Sequence, residues 1–194
     1  MMTRTLLSVS TLLLALLSTR GWAQEGPAQE AFLPKGDKGP VVVVISGQSG
    51  PPNYRSYAAQ VAELGYYTVL IDGKDILTRA QDGAQNLRTV ITRAQASPNG
   101  MPSKVVVIGF SQGGGGVLAH AGRMPELITA AVAYYPAVSW SKNIPELANR
   151  IKMPLLVLAA EQDSYNNCCL IATIRELEAA AKTKQLPLEL VVYP

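Results

Sequence analysis

Short apolar runs punctuate the chain at 41–45 (VVVVI), 66–71 (YYTVLI), 104–109 (KVVVIG), 130–135 (AAVAYY), 154–160 (PLLVLAA) and 188–193 (LELVVY). They are rich in β-branched residues and continuous rather than alternating, the pattern of strands covered on both faces. Between them lie segments of helical period. In 54–64, Tyr57, Val61 and Leu64 share one face, and in 82–96 Leu87, Val90, Ile91 and Ala94 do the same. Residues 169–183 form the longest helical pattern, and Pro98, Gly100 and Pro102 mark the turn into the third strand. Strands alternating with helices predict βαβ crossovers, and therefore a doubly wound, mostly parallel α/β sheet over 41–194.

Two segments precede this domain. MMTR supplies a positive start, Thr5 to Leu17 is an uncharged apolar run, and STRGWA ends with small residues at Gly21 and Ala23. Residues 1–23 read as a secretory signal cut after Ala23, which predicts a periplasmic or secreted protein. The apolar run falls short of the ~20 residues a spanning helix needs, so no membrane association is expected of the mature form. Residues 24–40 are rich in Gly, Pro and charge and read as a flexible lead-in, with room for a short edge strand at 31–33.

Composition narrows the possible partners. The chain has 194 residues, of which 48% are hydrophobic and 16% charged, with a formal charge of +3. The leader holds Arg4 and Arg20 and no acid, so its removal lowers that charge by two. The remainder gives no reason to expect nucleic acid as a partner. Cys168 and Cys169 are adjacent. A bond between consecutive cysteines would be strained, because their Cα atoms sit closer than bridged cysteines usually do. They are expected to be two small buried residues at a helix start, with a bond between them as the alternative that export to an oxidising compartment makes possible. No Cys or His cluster proposes a metal site.

The chemistry concentrates at VVIGFSQGGGG (106–116), where Gly109-Phe110-Ser111-Gln112-Gly113 fits G-x-S-x-G between a strand and a helix expected over 114–122. A serine on such a sharp turn is exposed, and its small neighbours allow the backbone to crowd. The helix start also offers N–H groups and a dipole to a developing oxyanion. A plain glycine-rich turn is the alternative. Phosphate binding fits poorly, since no G-K-[ST] follows and G-x-G-x-x-G is not matched.

With ISGQSG after the first strand, GFSQGG at the elbow, PLLVLAAEQD and the closing VVYP, the chain resembles the dienelactone hydrolase family of α/β-hydrolases from Pro40 to Pro194. The resemblance implies cofactor-free cleavage of small esters or lactones by a nucleophile, an acid and a histidine in that chain order. It matches Ser111 to the nucleophile, where the name-giving enzymes use cysteine. It matches Asp163 to the acid, with Glu161 as a lesser alternative and helix capping as the competing role for Asp163. The backbone N–H groups of Gln112 and Gln48 are the expected oxyanion donors. Tyr135, Trp140 and Arg79 are candidate pocket residues, and the short segment 136–153 leaves no room for a large lid.

One part is missing from this set. His120 is the sole histidine. It follows Ser111 by about 13 Å of helix on the opposite face, too far for a base that must come within about 3 Å. In the family the histidine follows a Tyr-Pro pair, which here is Tyr193-Pro194, so the α/β-hydrolase-type domain is expected to be incomplete at the C-terminus. The competing expectation is a non-catalytic binding module of the same fold.

Overall fold

The computed structural model describes residues 26–194. The expected signal segment, 1–23, lies outside the described residues.

Seven strands form one sheet in the order β1-β3-β2-β4-β5-β6-β7. They are β1 (Gln29–Phe32), β2 (Val41–Ile45), β3 (Tyr67–Ile71), β4 (Val105–Phe110), β5 (Ile128–Tyr134), β6 (Leu155–Ala160) and β7 (Leu188–Tyr193). All neighbouring pairs are parallel except β1 with β3. The edge strand β1 begins two residues before the expected position, inside the segment read as a flexible lead-in. Arg55 Nε–H, shared between the two Glu30 carboxylate oxygens at 2.8 and 3.0 Å, links it to the first helix.

The helices are α1 (Arg55–Glu63), α2 (Gly73–Ile76), α3 (Gly83–Gln95), α4 (Gln112–Ala119), α5 (Ile144–Ala148) and α6 (Ile171–Thr183). The starts of α2, α3 and α5 are written in polar side chains. Asp72 accepts from the Lys74 N–H, Asp82 from Gln85 and Asn143 from Glu146, each satisfying a donor that the first helical turn leaves unpaired. None of the described helices is long and apolar enough to cross a membrane.

The pleat of the central strands divides the core. Val41, Val43 and Ile45 belong to one continuous apolar cluster with Leu87, Val90 and Ile91 of α3, Val117 and Leu118 of α4, Leu147 of α5, and Ile174 and Leu177 of α6. Val42 and Val44 turn to the opposite face, where they meet Ala58 of α1, Leu70, Ile108 and Phe110. Every residue of β2 and β3 is buried. This double cover explains why these strands read as unbroken apolar runs. The segment 136–153 holds only α5, whose Leu147 and Ala148 are buried, so it belongs to the core rather than to a lid.

Candidate active site

The site lies at the C-terminal edge of the sheet, where open α/β sheets gather their ligand-facing groups. β4 ends on Phe110 and α4 starts on Gln112, leaving Ser111 alone at the turn with φ 48° and ψ −108°. A non-glycine residue in that region carries backbone strain of roughly 1–3 kcal/mol, which the surroundings must enforce. They do so through three backbone hydrogen bonds. Ser111 N–H donates to Tyr134 C=O at 3.0 Å, while Ser111 C=O accepts from Gly115 and from Ala137, both at 2.9 Å.

The motif glycines are required by contact. A Cβ on Gly109 would overlap the Gly113 carbonyl, and one on Gly113 would overlap the carbonyl oxygens of Ile45 and Ser46. The elbow is thus pressed directly against the end of β2. Ser46, fully buried, completes that junction by accepting from Gly73 N–H at 3.1 Å. The turn after it, closed by Gly50 N–H to Gly47 C=O at 3.0 Å, carries Gln48 toward the serine.

A cavity of about 330 Å³ opens here, lined by Gln48, Ser49, Tyr54, Ser111, Tyr135, Asp163, Tyr165, Cys168 and Cys169. Four sequence candidates, Ser111, Asp163, Gln48 and Tyr135, therefore share one chamber. Asp163 follows β6, and its Oδ1 accepts the Tyr165 N–H at 3.0 Å, so it does brace the next turn as well as line the cavity. Glu161 is committed elsewhere, bonded to Arg175 at 2.7 Å and outside the lining. The Gln112 side chain donates to Leu77 C=O at 2.9 Å, which leaves its backbone as the part that could serve an oxyanion.

Two pocket candidates need correction. Trp140 is not among the lining residues, because its indole N–H is held by Ala137 C=O at 2.8 Å and its ring nitrogen faces Gly115. Arg79 sits exposed in the loop after α2, also outside the lining. His120 lies where the helix geometry put it, at the far end of α4, close to Gly83. Burial lowers its pKa, against a hydrogen bond to the Ile76 backbone that raises it, with Arg150 and Arg123 also pressing it down.

Three features depart from the leading expectations. Cys168 and Cys169 are joined by a disulfide, the alternative to two small buried thiols. Tyr54 and Tyr165 line the cavity beside them. Beneath the elbow, Phe110 stacks on Tyr134 at 4.7 Å and meets Tyr57 edge-on at 4.9 Å and Tyr54 at 5.0 Å. Burial pushes the Tyr135 phenol up out of its usual range, with Tyr54 and Asp163 adding to the effect, so it is a neutral donor near neutral pH. The tyrosine repeats at 54, 57 and 134–135 were the available sequence signal for this aromatic floor.

A mostly parallel sheet bearing a strained serine at a strand–helix elbow defines an α/β-hydrolase fold. The chain matches the dienelactone hydrolase family over residues 73–194 and belongs to it. Among solved structures, it is similar to a Klebsiella pneumoniae protein assigned as a dienelactone hydrolase, with 20% identity, a TM-score of 0.69 and 86% of each chain covered. The Anabaena variabilis dienelactone hydrolase shares 24% identity at a TM-score of 0.62, over 86% of this chain and 79% of that one. Est1E from Butyrivibrio proteoclasticus shares 17% at 0.63, over 86% and 83%. At these identities the likeness is one of fold. No curated protein matches the chain.

Proposed function

We propose that this protein is an exported serine hydrolase that cleaves small carboxylic esters or lactones through an acyl-enzyme on Ser111. The observation that carries the reading is the strained Ser111 opening onto the same cavity as Asp163 and Gln48. In the first step Ser111 Oγ attacks the carbonyl carbon and its proton passes to a base. The carbonyl oxygen, now negative, is held by the backbone N–H groups of Gln112 and Gln48. Collapse expels the alcohol, which takes the proton from the base, and water then releases the acid by the same route. For a lactone the alcohol and acid remain one molecule.

The base in this reading is an imidazole at the cavity, oriented by Asp163. Support comes from the last strand. Tyr193 C=O accepts from Glu161 N–H at 2.7 Å, so the end of β7 lies beside the loop that carries Asp163. The small cavity without a lid suits a compact substrate.

The test is activity-based labelling of the full-length natural protein with a fluorophosphonate, alongside hydrolysis of 4-nitrophenyl acetate. Labelling and turnover that both vanish in Ser111→Ala support the reading. Saturable ester binding without labelling would instead establish a non-catalytic binding module. Amino-terminal sequencing of the mature protein, with Gln24 first, tests the export reading.

A further inference from the structure

The acyl-enzyme chemistry makes no use of the Cys168–Cys169 disulfide, yet the pair lines the same cavity as Ser111 and Asp163. Joining consecutive residues closes a small ring from the Cα, Cβ and Sγ of each and the peptide carbon and nitrogen between them. Rotation about that amide's neighbouring bonds is thereby restricted. The oxygen it carries is Cys168 C=O, which accepts Val138 N–H at 2.7 Å and Ser139 N–H at 3.2 Å. The adjoining Ala137 N–H donates to Ser111 C=O at 2.9 Å. A single short segment, 137–139, therefore ties the nucleophile's own backbone to the ring amide.

The other side of the ring leads to the acid. Asp163 opens the loop that ends in the cysteines, and Asn166 and Asn167 within it both take left-handed φ, 47° and 52°. Such a loop keeps its shape only while it is held at both ends. One end is held by β6 and by Asp163 accepting Tyr165 N–H. The other is held by the ring amide.

We propose that the disulfide is a positioning element: it fixes the amide that couples the Asp163 loop to the Ser111 elbow, and hydrolysis is therefore slowed when it is reduced. The proposal rests on the hydrolase reading above. Reduction requires a dithiol. Its thiolate attacks Sγ of Cys168, the less buried of the two, and Cys169 leaves as a thiolate. The second thiol of the reagent then displaces Cys168, so two electrons pass from the dithiol and two cysteine thiols remain.

The experiment compares the full-length protein as purified, after dithiothreitol, and after reoxidation, with thiol content checked by intact mass. Reduction is expected to lower kcat for 4-nitrophenyl acetate about tenfold with KM changed less than about twofold, and reoxidation restores it. Amide exchange at Val138 and Ser139 is expected to accelerate about tenfold while β2 and β4 stay protected, the signature of local release. The double variant Cys168→Ser with Cys169→Ser should reproduce the reduced protein. If that variant does not fold, the reduced natural protein decides. An active enzyme whose kcat and Val138 and Ser139 exchange are both indifferent to reduction overturns the positioning role alone. An oxidised protein with neither turnover nor Ser111 labelling overturns the hydrolase reading, and the positioning of a catalytic pair falls with it.

Discussion

Gly113→Ala adds one methyl group where the elbow is pressed against the end of β2, so two opposing magnitudes can be set against each other. Gly113 lies within α4, where alanine is favoured over glycine by about 1 kcal/mol. Against this, the new Cβ would overlap the carbonyl oxygens of Ile45 and Ser46, which are backbone atoms and cannot swing aside. Restoring contact distance requires the end of β2 and the elbow to part by roughly an ångström, and overpacking of this kind costs about 1–3 kcal/mol. The balance is a loss of about 0–2 kcal/mol, or a fall in Tm of no more than about 8 °C for a domain of this size. Activity should suffer far more. The loop that moves carries Gln48, and the helix that moves carries the Gln112 N–H, so both proposed oxyanion donors shift relative to Ser111. A displacement of about 1 Å is enough to cost ~10²-fold in rate. The assay is 4-nitrophenyl acetate hydrolysis beside thermal unfolding of the same samples. Wild-type kcat/KM in Gly113→Ala would refute the reasoning, because it would mean that the β2 loop yields freely and does not set the geometry of the elbow.

Three further outcomes are expected. Ser111→Gly should abolish fluorophosphonate labelling yet leave Tm unchanged or raise it, since relieving about 1–3 kcal/mol of strain outweighs or balances glycine's entropy cost of about 0.5–1 kcal/mol; a clear drop in Tm would show the serine to be unstrained. Asp163→Asn should lower kcat by ~10⁴-fold while Glu161→Gln stays within about twofold, and equal effects in steady-state kinetics would reassign the acid. Because burial lowers the His120 pKa, the unfolded chain takes up this proton first as pH falls below about 6.5, so stability is full above that value and declines beneath it. His120→Gln should flatten this part of a urea-midpoint profile against pH, and an unchanged profile would show that other groups govern it.

The sheet was legible because its strands are buried on both faces, which leaves continuous runs such as Val41–Ile45 with no polar positions to confuse the period. The elbow was legible for a related reason: only glycine fits at 109 and 113, so the contact is recorded in the residue type. Asp163 could be placed because it directly follows a strand whose end faces the ligand side. The remainder depended on where loops fold back. Trp140 and Arg79 follow strands or helices near the site, but a hydrogen bond to Ala137 turns the first away, and the second lies exposed in a loop outside the cavity lining. The cysteine bridge ranked as the lesser alternative because adjacency argues against one on average geometry, whereas this loop has a shape that accepts it. The aromatic floor joins Tyr57 on α1 with Phe110 on β4 and Tyr134 on β5, and no local period can announce a contact between three separate elements.

Trp140, set aside as a pocket residue, gains a different use from its position. Among the described residues it is the sole tryptophan. Its indole N–H is bound to the carbonyl of Ala137, the residue whose own N–H holds Ser111. Any opening of the segment between the elbow and the cysteine loop must change the polarity around that indole. The protein thus carries a built-in fluorophore where the Ser111 elbow meets the cysteine loop, and the emission maximum of Trp140 provides a label-free, real-time optical readout of whether that junction is closed.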